Sequence, residues 1–233
     1  RRHHDPHCTK GNAMKAALLK ELRLVVHPST YFIVVLGALV LIPSWMYGAI
    51  FIYGVLVAFF NGMNAREMHD LEYSFSLPLS RTSMTRARIL TMIGIETIML
   101  AIMVAFIALR GPLGINAITP PSEAVGTAAN LYLVALGFIT FGMFNLVFYP
   151  LYYRNPLKVG LPFIIASIPA ALCITATVVL PYLPAANAAS FGIAGFNDPS
   201  AQHCALAAGL VVFIVCNVVA CKLSACSFTH FDA

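Results

Sequence analysis

The chain has 233 residues, of which 60% are hydrophobic and only 10% are charged, and its formal net charge is +5. A soluble domain carries about 25% charged residues, so this chain has too few to cover a surface that faces water. The composition therefore excludes a soluble globular domain and indicates an integral membrane protein.

The chain begins with a polar stretch, residues 1–13, which we predict to be a disordered N-terminal tail. His3, His4, His7 and Cys8 are residue types that bind zinc, but a short flexible tail without the usual spacing is a poor zinc site. We therefore predict no metal site, and we expect no cofactor.

Residues 14–29 have helical spacing, with Leu18, Leu22 and Val25 on one face and basic residues elsewhere. This pattern predicts an amphipathic helix on the inner membrane surface, with its basic side toward the lipid phosphates. The alternative is that these residues simply begin the first spanning helix.

Six apolar stretches follow, and we predict that they form a six-helix transmembrane domain over residues 30–222. Crossing about 30 Å of hydrocarbon takes about 20 apolar residues. The first two stretches form one long run divided at Ile42-Pro43-Ser44, which is either one long helix or a tight hairpin. Pro43 lacks a backbone donor and Ser44 suits a turn, so we favour the hairpin. The stretches are 30–42, 46–61, 89–109, 128–149, 160–182 and 203–221.

The 14 lysines and arginines favour one orientation of these helices. In a six-helix arrangement all of them except Arg110 fall on the same side, and cationic loops stay on the cytoplasmic side of a membrane. Both termini are therefore predicted to be cytoplasmic, with residues 223–233 as a cytoplasmic tail. We expect no structural disulfide, and Cys221 and Cys226 are weak candidates for acylation.

The segment 62–88 is the longest polar stretch between two predicted spans. It carries charges of both signs and then Leu77-Pro78, which ends a short helix, while Ser80 is placed to cap the next one. A simple connection needs only a few residues. The segment is therefore either a structured element that contacts another protein or a solvated loop with ordinary charges.

Within the predicted spans, Glu96 is the clear ionisable residue. An acid inside a membrane is a candidate functional residue. Glu96 is predicted only about two turns from the cytoplasmic end, so the alternatives are that it serves a helix contact or reaches the interface. Asn145 and Asn217 are further candidates for a transport pathway, but such side chains more often bond between helices. Gly137, Gly142 and Gly209, with Ala207 and Ala208, are predicted to permit close helix packing.

Motifs for common chemistry are absent from the sequence. There is no G-x-x-x-x-G-K-[ST] phosphate loop, no H-E-x-x-H metal motif and no G-x-S-x-G nucleophile elbow. We therefore predict no catalytic residues, and we do not expect the chain to be an enzyme or to bind ATP through such a loop.

The passage S-F-S-L-P-L-S-R-T-S-M-T-R-A-R-I-L, residues 74–90, resembles a signature of ABC-2 type transporter permeases. In that family an acidic helical loop after the second span leads into a leucine-proline turn and a basic start of the third span. The corresponding residues here are Leu77, Pro78, Leu79, Ser80 and Arg81. The ending His230-Phe231-Asp232 departs from the pattern of the family.

The resemblance implies a membrane-spanning permease subunit of an ATP-binding cassette exporter in a bacterial inner or plasma membrane. Its implied partners are a separate ABC ATPase subunit, a second permease copy or paralogue, and the lipid bilayer, with no nucleic acid. The implied substrate is a peptide, a lipid-like molecule or another amphipathic compound. The residues implied to transmit movement of the ATPase are Arg66, Glu67, Asp70, Glu72, Leu77, Pro78, Ser80 and Arg81. The alternative is a non-transporting membrane scaffold or an immunity protein that sequesters a peptide.

Overall fold

The computed structural model describes residues 14–43, 45–70, 72–73, 80–115, 129–179, 183 and 199–229. The predictions for residues 1–13 and for Leu77 and Pro78 lie outside these ranges. Within them the chain is all-α, as predicted. The helices are α1 (Met14–Val25) and α2 (Ser29–Leu41), then α3 (Gly48–Glu67), α4 (Arg81–Arg110), α5 (Leu131–Tyr152), α6 (Gly160–Val179) and α7 (Pro199–Thr229).

The helices α3 to α7 are each long and apolar enough to cross a membrane. Within the described residues α1 and α2 supply a sixth crossing if this bent pair is counted as one span. The protein is therefore a multi-span helical membrane protein, and the predicted number of about six spans agrees with the structure.

The axes of α1 and α2 meet at 93°. The last turn of α1, Glu21–Val25, is π-helical and the following Val26 is extended, so the first helix does not continue straight into the second. With a rise of 1.5 Å per residue, α2 is only about 20 Å long, which is less than the hydrocarbon thickness.

The side chains of α1 are divided between the surface and the interior of the protein. Leu19 and Leu22 are exposed, whereas Val25 is buried together with Lys20 and Glu21. Two charged side chains of α1 are thus used in contacts with residues after α3 and on α4. The interfacial location of α1 stays a prediction.

The chain breaks between α2 and α3 near Pro43, where we favoured a hairpin. Ile42 is extended, with φ −76° and ψ 121°, as expected for a residue that precedes a proline. The buried Arg110 at the end of α4 donates to the carbonyl oxygen of Val40 and, at 3.0 Å, to the Tyr47 hydroxyl. The one arginine on the other side of the predicted arrangement thus supports this break.

Both helices that flank the segment 62–88 extend into it. The third helix ends at Glu67 and the fourth begins at Arg81. The predicted spans therefore end too early at residue 61 and begin too late at residue 89. The part that remains between helices is correspondingly smaller than the sequence suggested.

Small residues lie where α5 is closest to its neighbours. A Cβ added at Gly209 of α7 would lie 2.7 Å from the Ala135 carbonyl oxygen, and one added at Gly137 would lie 2.6 Å from the Phe51 ring. Gly137, Gly142 and Gly209 therefore permit close packing as predicted, whereas Ala207 and Ala208 are exposed.

The ends of α3, α5 and α7 and the beginnings of α4 and α6 lie at one end of the molecule, which we call the cationic end. Arg81 donates to the Phe228 carbonyl oxygen at 3.0 Å, which joins α4 to α7, and Arg88 donates to the Tyr152 hydroxyl at 2.9 Å, which joins α4 to α5. The described lysines and arginines of this end are Lys15, Lys20, Arg23, Arg66, Arg81, Arg86, Arg88, Arg154, Lys158 and Lys222.

Candidate functional site

Two asparagines of α3 hold the bend between α1 and α2. The Asn64 amide nitrogen donates to the carbonyl oxygens of Leu24 and Val25 at 3.1 and 2.9 Å, while the Asn61 oxygen accepts from the His27 backbone N–H at 2.8 Å. A helix that stops leaves such backbone groups without partners. The asparagines supply those partners and fix α1 against α3.

A buried group of charged side chains lies beside this bend, and we call it the ion cluster. It consists of Lys20 and Glu21 of α1, Asp70 after α3, Arg88 of α4 and Tyr152 of α5. Each of the five is at most 8% exposed. The Lys20 ammonium lies 2.7 Å from an Asp70 oxygen and 2.9 Å from a Glu21 oxygen.

Arg88 completes the ion cluster from the other side. Its Nε lies 3.0 Å from Glu21, its Nη1 donates to the Tyr152 hydroxyl at 2.9 Å, and its Nη2 donates to Asp70. Two cations therefore face two anions, and no charge in the cluster is uncompensated. Buried charges are tolerated only when they are paired in this way.

The electrostatics of Asp70 follow from these neighbours. Burial by itself raises the pKa of the Asp70 carboxyl, but Arg88 and then Lys20 lower it by more, so the pKa lies below its ordinary value. Asp70 is therefore ionised at neutral pH, as its two ion pairs require.

Several of the residues predicted to contact an ATPase lie on the surface of the cationic end. Arg66, Glu67 and Glu72 are exposed, and Glu72 lies 3.4 Å from the exposed His69. Asp70 belongs to the same segment but is buried in the ion cluster, so it is not part of that surface.

Two further predicted residues of this segment, Ser80 and Arg81, lie at the start of α4. Ser80 caps α4 as predicted, because its hydroxyl accepts from the Ser83 backbone N–H at 3.1 Å. The Arg81 guanidinium lies 5.5 Å from the centre of the Phe228 ring in addition to its bond to that residue's carbonyl.

Sequence reasoning missed Glu21, and it used Lys20 and Arg88 only as markers of orientation. The available signal was weak, since Glu21 is the only acid in an otherwise basic α1. Asn61 and Asn64 were also overlooked, because they are the last residue of the predicted span 46–61 and a residue just beyond it.

The three pathway candidates form a second polar group, which we call the buried triad. The Asn145 amide nitrogen donates to Glu96 at 2.8 Å and to the Asn217 oxygen at 3.1 Å. The two asparagines thus bond between helices, as such residues commonly do. Their role in a pathway stays a prediction.

Of the two alternatives to a pathway role for Glu96, a helix contact or a reach to the interface, the contact with Asn145 corresponds to the first. Glu96 lies eight residues beyond Arg88 on α4, which is about 12 Å further into the bundle, and only 2% of it is exposed. Glu96 lies deeper than the sequence suggested because α4 begins at Arg81, two turns earlier than predicted.

Comparison of the chain with protein-family models, with curated proteins and with solved structures yields no match.

Proposed function

We propose that this chain is the membrane-spanning permease subunit of an ATP-binding cassette exporter, driven by a separate ATPase and working as a dimer with a second copy or a paralogue. It would act in a bacterial inner or plasma membrane on a peptide, a lipid-like molecule or another amphipathic substrate. The cationic end would face the cytoplasm, where the ATPase binds.

The observation that carries this proposal is the position of Asp70. This residue lies between the exposed charges Arg66 and Glu67 on one side and Glu72 on the other. At the same time its carboxylate is bonded to Lys20 of α1 and to Arg88 of α4. A partner that pushes on the exposed segment therefore acts directly on two membrane helices.

The exposed part of the segment has the character of a contact surface. Arg66, Glu67 and Glu72 supply charges of both signs, which give an interface its specificity more than its raw affinity. The ion cluster behind them is buried and rigidly bonded, so movement of the surface is transmitted instead of being absorbed by a loose loop. Such transmission is how a nucleotide-driven partner can bias two arrangements of packed helices.

The test uses the full chain purified together with a candidate ABC ATPase and reconstituted in liposomes. A gene adjacent to that of this chain is the first source to examine for such an ATPase. The variant is the double charge reversal Arg66→Glu/Glu67→Lys, which keeps the net charge. We expect at least a tenfold loss of ATPase association and of transport-coupled ATP hydrolysis, because opposite charges at the contact become like charges.

The control is Arg154→Glu/Lys158→Glu, which reverses two exposed charges of the same end outside the proposed surface. It changes the net charge, so a general effect of charge would be seen in this variant more than in the test variant. We expect the control to associate and hydrolyse ATP as the wild type does. Equal behaviour of the two variants would contradict the contact surface. Failure of the wild-type chain to bind or stimulate any ABC ATPase would instead favour a scaffold or a peptide-sequestering immunity protein.

A further inference from the structure

The buried triad contains a carboxyl group deep in the helix bundle without a cation beside it. None of the ion pairs among the described residues involves Glu96. The nearest cation on its own helix, Arg88, lies two turns away in the ion cluster. Apart from groups at the two ends of the helices, the titratable side chains of the neighbouring helices are of neutral type, namely Tyr31, Tyr47, Tyr53, Tyr149, Cys216 and Cys221.

The second observation is an unpartnered amide oxygen at the same place. A side-chain amide has two N–H donors and one oxygen acceptor. In Asn145 the nitrogen donates both to Glu96 and to Asn217, while Oδ1 is buried and has no hydrogen-bond partner. A buried polar atom without a partner is uncommon and requires a donor.

An ionised Glu96 cannot supply that donor, because a carboxylate only accepts hydrogen bonds. A carboxylic acid can accept through one oxygen and donate through the other. An acid and a primary amide are complementary in this respect, since the amide N–H meets the acid carbonyl while the acid O–H meets the amide oxygen.

We propose that Glu96 is a proton-binding site, and that the neutral acid pairs with Asn145 through two hydrogen bonds between α4 and α5. The proton comes from solvent, where a hydronium ion transfers it to Glu96 Oε1 and leaves as water. Glu96 Oε2 continues to accept from the Asn145 nitrogen, and the new O–H donates to Asn145 Oδ1. The second amide hydrogen of Asn145 is still donated to the Asn217 oxygen, so every polar atom of the Asn145 side chain has a partner.

Protonation of Glu96 affects both the charge of this site and the packing of α4 against α5. The ionised form would leave Asn145 Oδ1 unpartnered and place an uncompensated negative charge among apolar helices. Loss of the proton therefore favours separation of α4 from α5 and entry of water. This inference rests on the triad alone and does not depend on the proposed transport function.

The experiment is infrared spectroscopy of the full chain in lipid nanodiscs at pH 7. We expect the C=O stretch of a protonated carboxylic acid, with the shift in D₂O that an exchangeable proton produces. Glu96→Gln keeps the size of the side chain and a donor for Asn145, so it is expected to fold and to lack this band. Asn145→Ala is expected to move the band to higher frequency, because the acid loses its acceptor.

Asn155→Ala is the matched control, because Asn155 also has a buried unpartnered amide oxygen but lies in the turn after α5. It is expected to leave the band unchanged. A wild-type spectrum with carboxylate bands only, or an acid band that persists in Glu96→Gln, would overturn the proposal. A wild-type spectrum with carboxylate bands only overturns the proposal even if a variant fails to fold, because Glu96 is then ionised. The other described acids, Glu21, Glu67, Asp70 and Glu72, are ion-paired or exposed.

Discussion

At the scale of single residues, we expect the largest losses of stability from substitutions in the ion cluster. Arg88 compensates Glu21 and Asp70 at once and also binds the Tyr152 hydroxyl. Removing one member of a buried charge group leaves its partners uncompensated, which is far more harmful than replacing the whole group by apolar side chains.

We therefore expect Arg88→Met to lower the free energy of unfolding by about 3–5 kcal/mol. Arg86→Met is the control, since Arg86 lies on the same helix and is exposed, and its effect should stay within about 0.5 kcal/mol. Unfolding in detergent, followed by circular dichroism, measures both. Equal effects of the two substitutions would show that the cluster contributes nothing.

The lowered pKa of Asp70 predicts how this stability depends on pH. Because the folded pKa lies below the unfolded one, the ion pairs stabilise the fold fully above about pH 4 and lose their effect as the pH falls through the folded pKa. The stability difference between wild type and Asp70→Asn should therefore be constant from about pH 7 to 5 and shrink below about pH 4. Glu67→Gln, at an exposed acid, should show no such trend. A difference that already shrinks near neutral pH would contradict the assignment.

At the scale of elements, two kinds of contact position the helices. Asn61 and Asn64 fix the right-angled bend of α1 and α2 by bonding the backbone groups that the bend exposes. Gly209 lets α7 approach the backbone of α5 at Ala135. The first depends on two amide side chains at a helix contact, and the second depends on the lack of a side chain.

Gly209→Val should destabilise the protein by about 1–3 kcal/mol or more. The added Cβ would lie 2.7 Å from the Ala135 carbonyl oxygen and 2.9 Å from its Cα, and backbone atoms cannot move aside. Gly94→Ala on α4 is the control, because an added Cβ there meets nothing within 4 Å. It should be neutral or stabilising, since alanine favours a helix over glycine by about 1 kcal/mol. Thermal unfolding of both variants would show the contrast, and a stable Gly209→Val would refute the close contact.

At the scale of the whole molecule, the described cations other than Arg110 gather at the cationic end. Arg110 is the exception, and it is buried against Val40 and Tyr47. Translocation of unpartnered cations is disfavoured, so the distribution favours an orientation with the cationic end inside the cell.

Single cysteines at Leu113 and Lys158 test this orientation, because both positions are exposed and lie at opposite ends. In a background without the native cysteines, a membrane-impermeant thiol reagent should modify Leu113→Cys in intact cells. Lys158→Cys should react only after the cells are opened. The reverse pattern would place the cationic end outside and remove the proposed ATPase surface from the cytoplasm.

The sequence by itself determined the membrane class, the approximate helices and the break near Pro43. These features depend on local properties, because the length of an apolar run, a missing backbone donor and the position of cations can be read directly along the chain. Ser80 was also predictable as a cap, since its partner is only three residues away.

The tertiary structure alone decided which polar residues meet. Asp70 was predicted to contact a partner, but it pairs with Lys20, fifty residues earlier, and Glu96 bonds to Asn145, forty-nine residues later. No local pattern encodes such pairings, because they depend on how the helices pack and how far α4 extends. In a bundle surrounded by lipid, a charged or amide side chain must find its partner on another helix, and only the folded arrangement shows which helix that is.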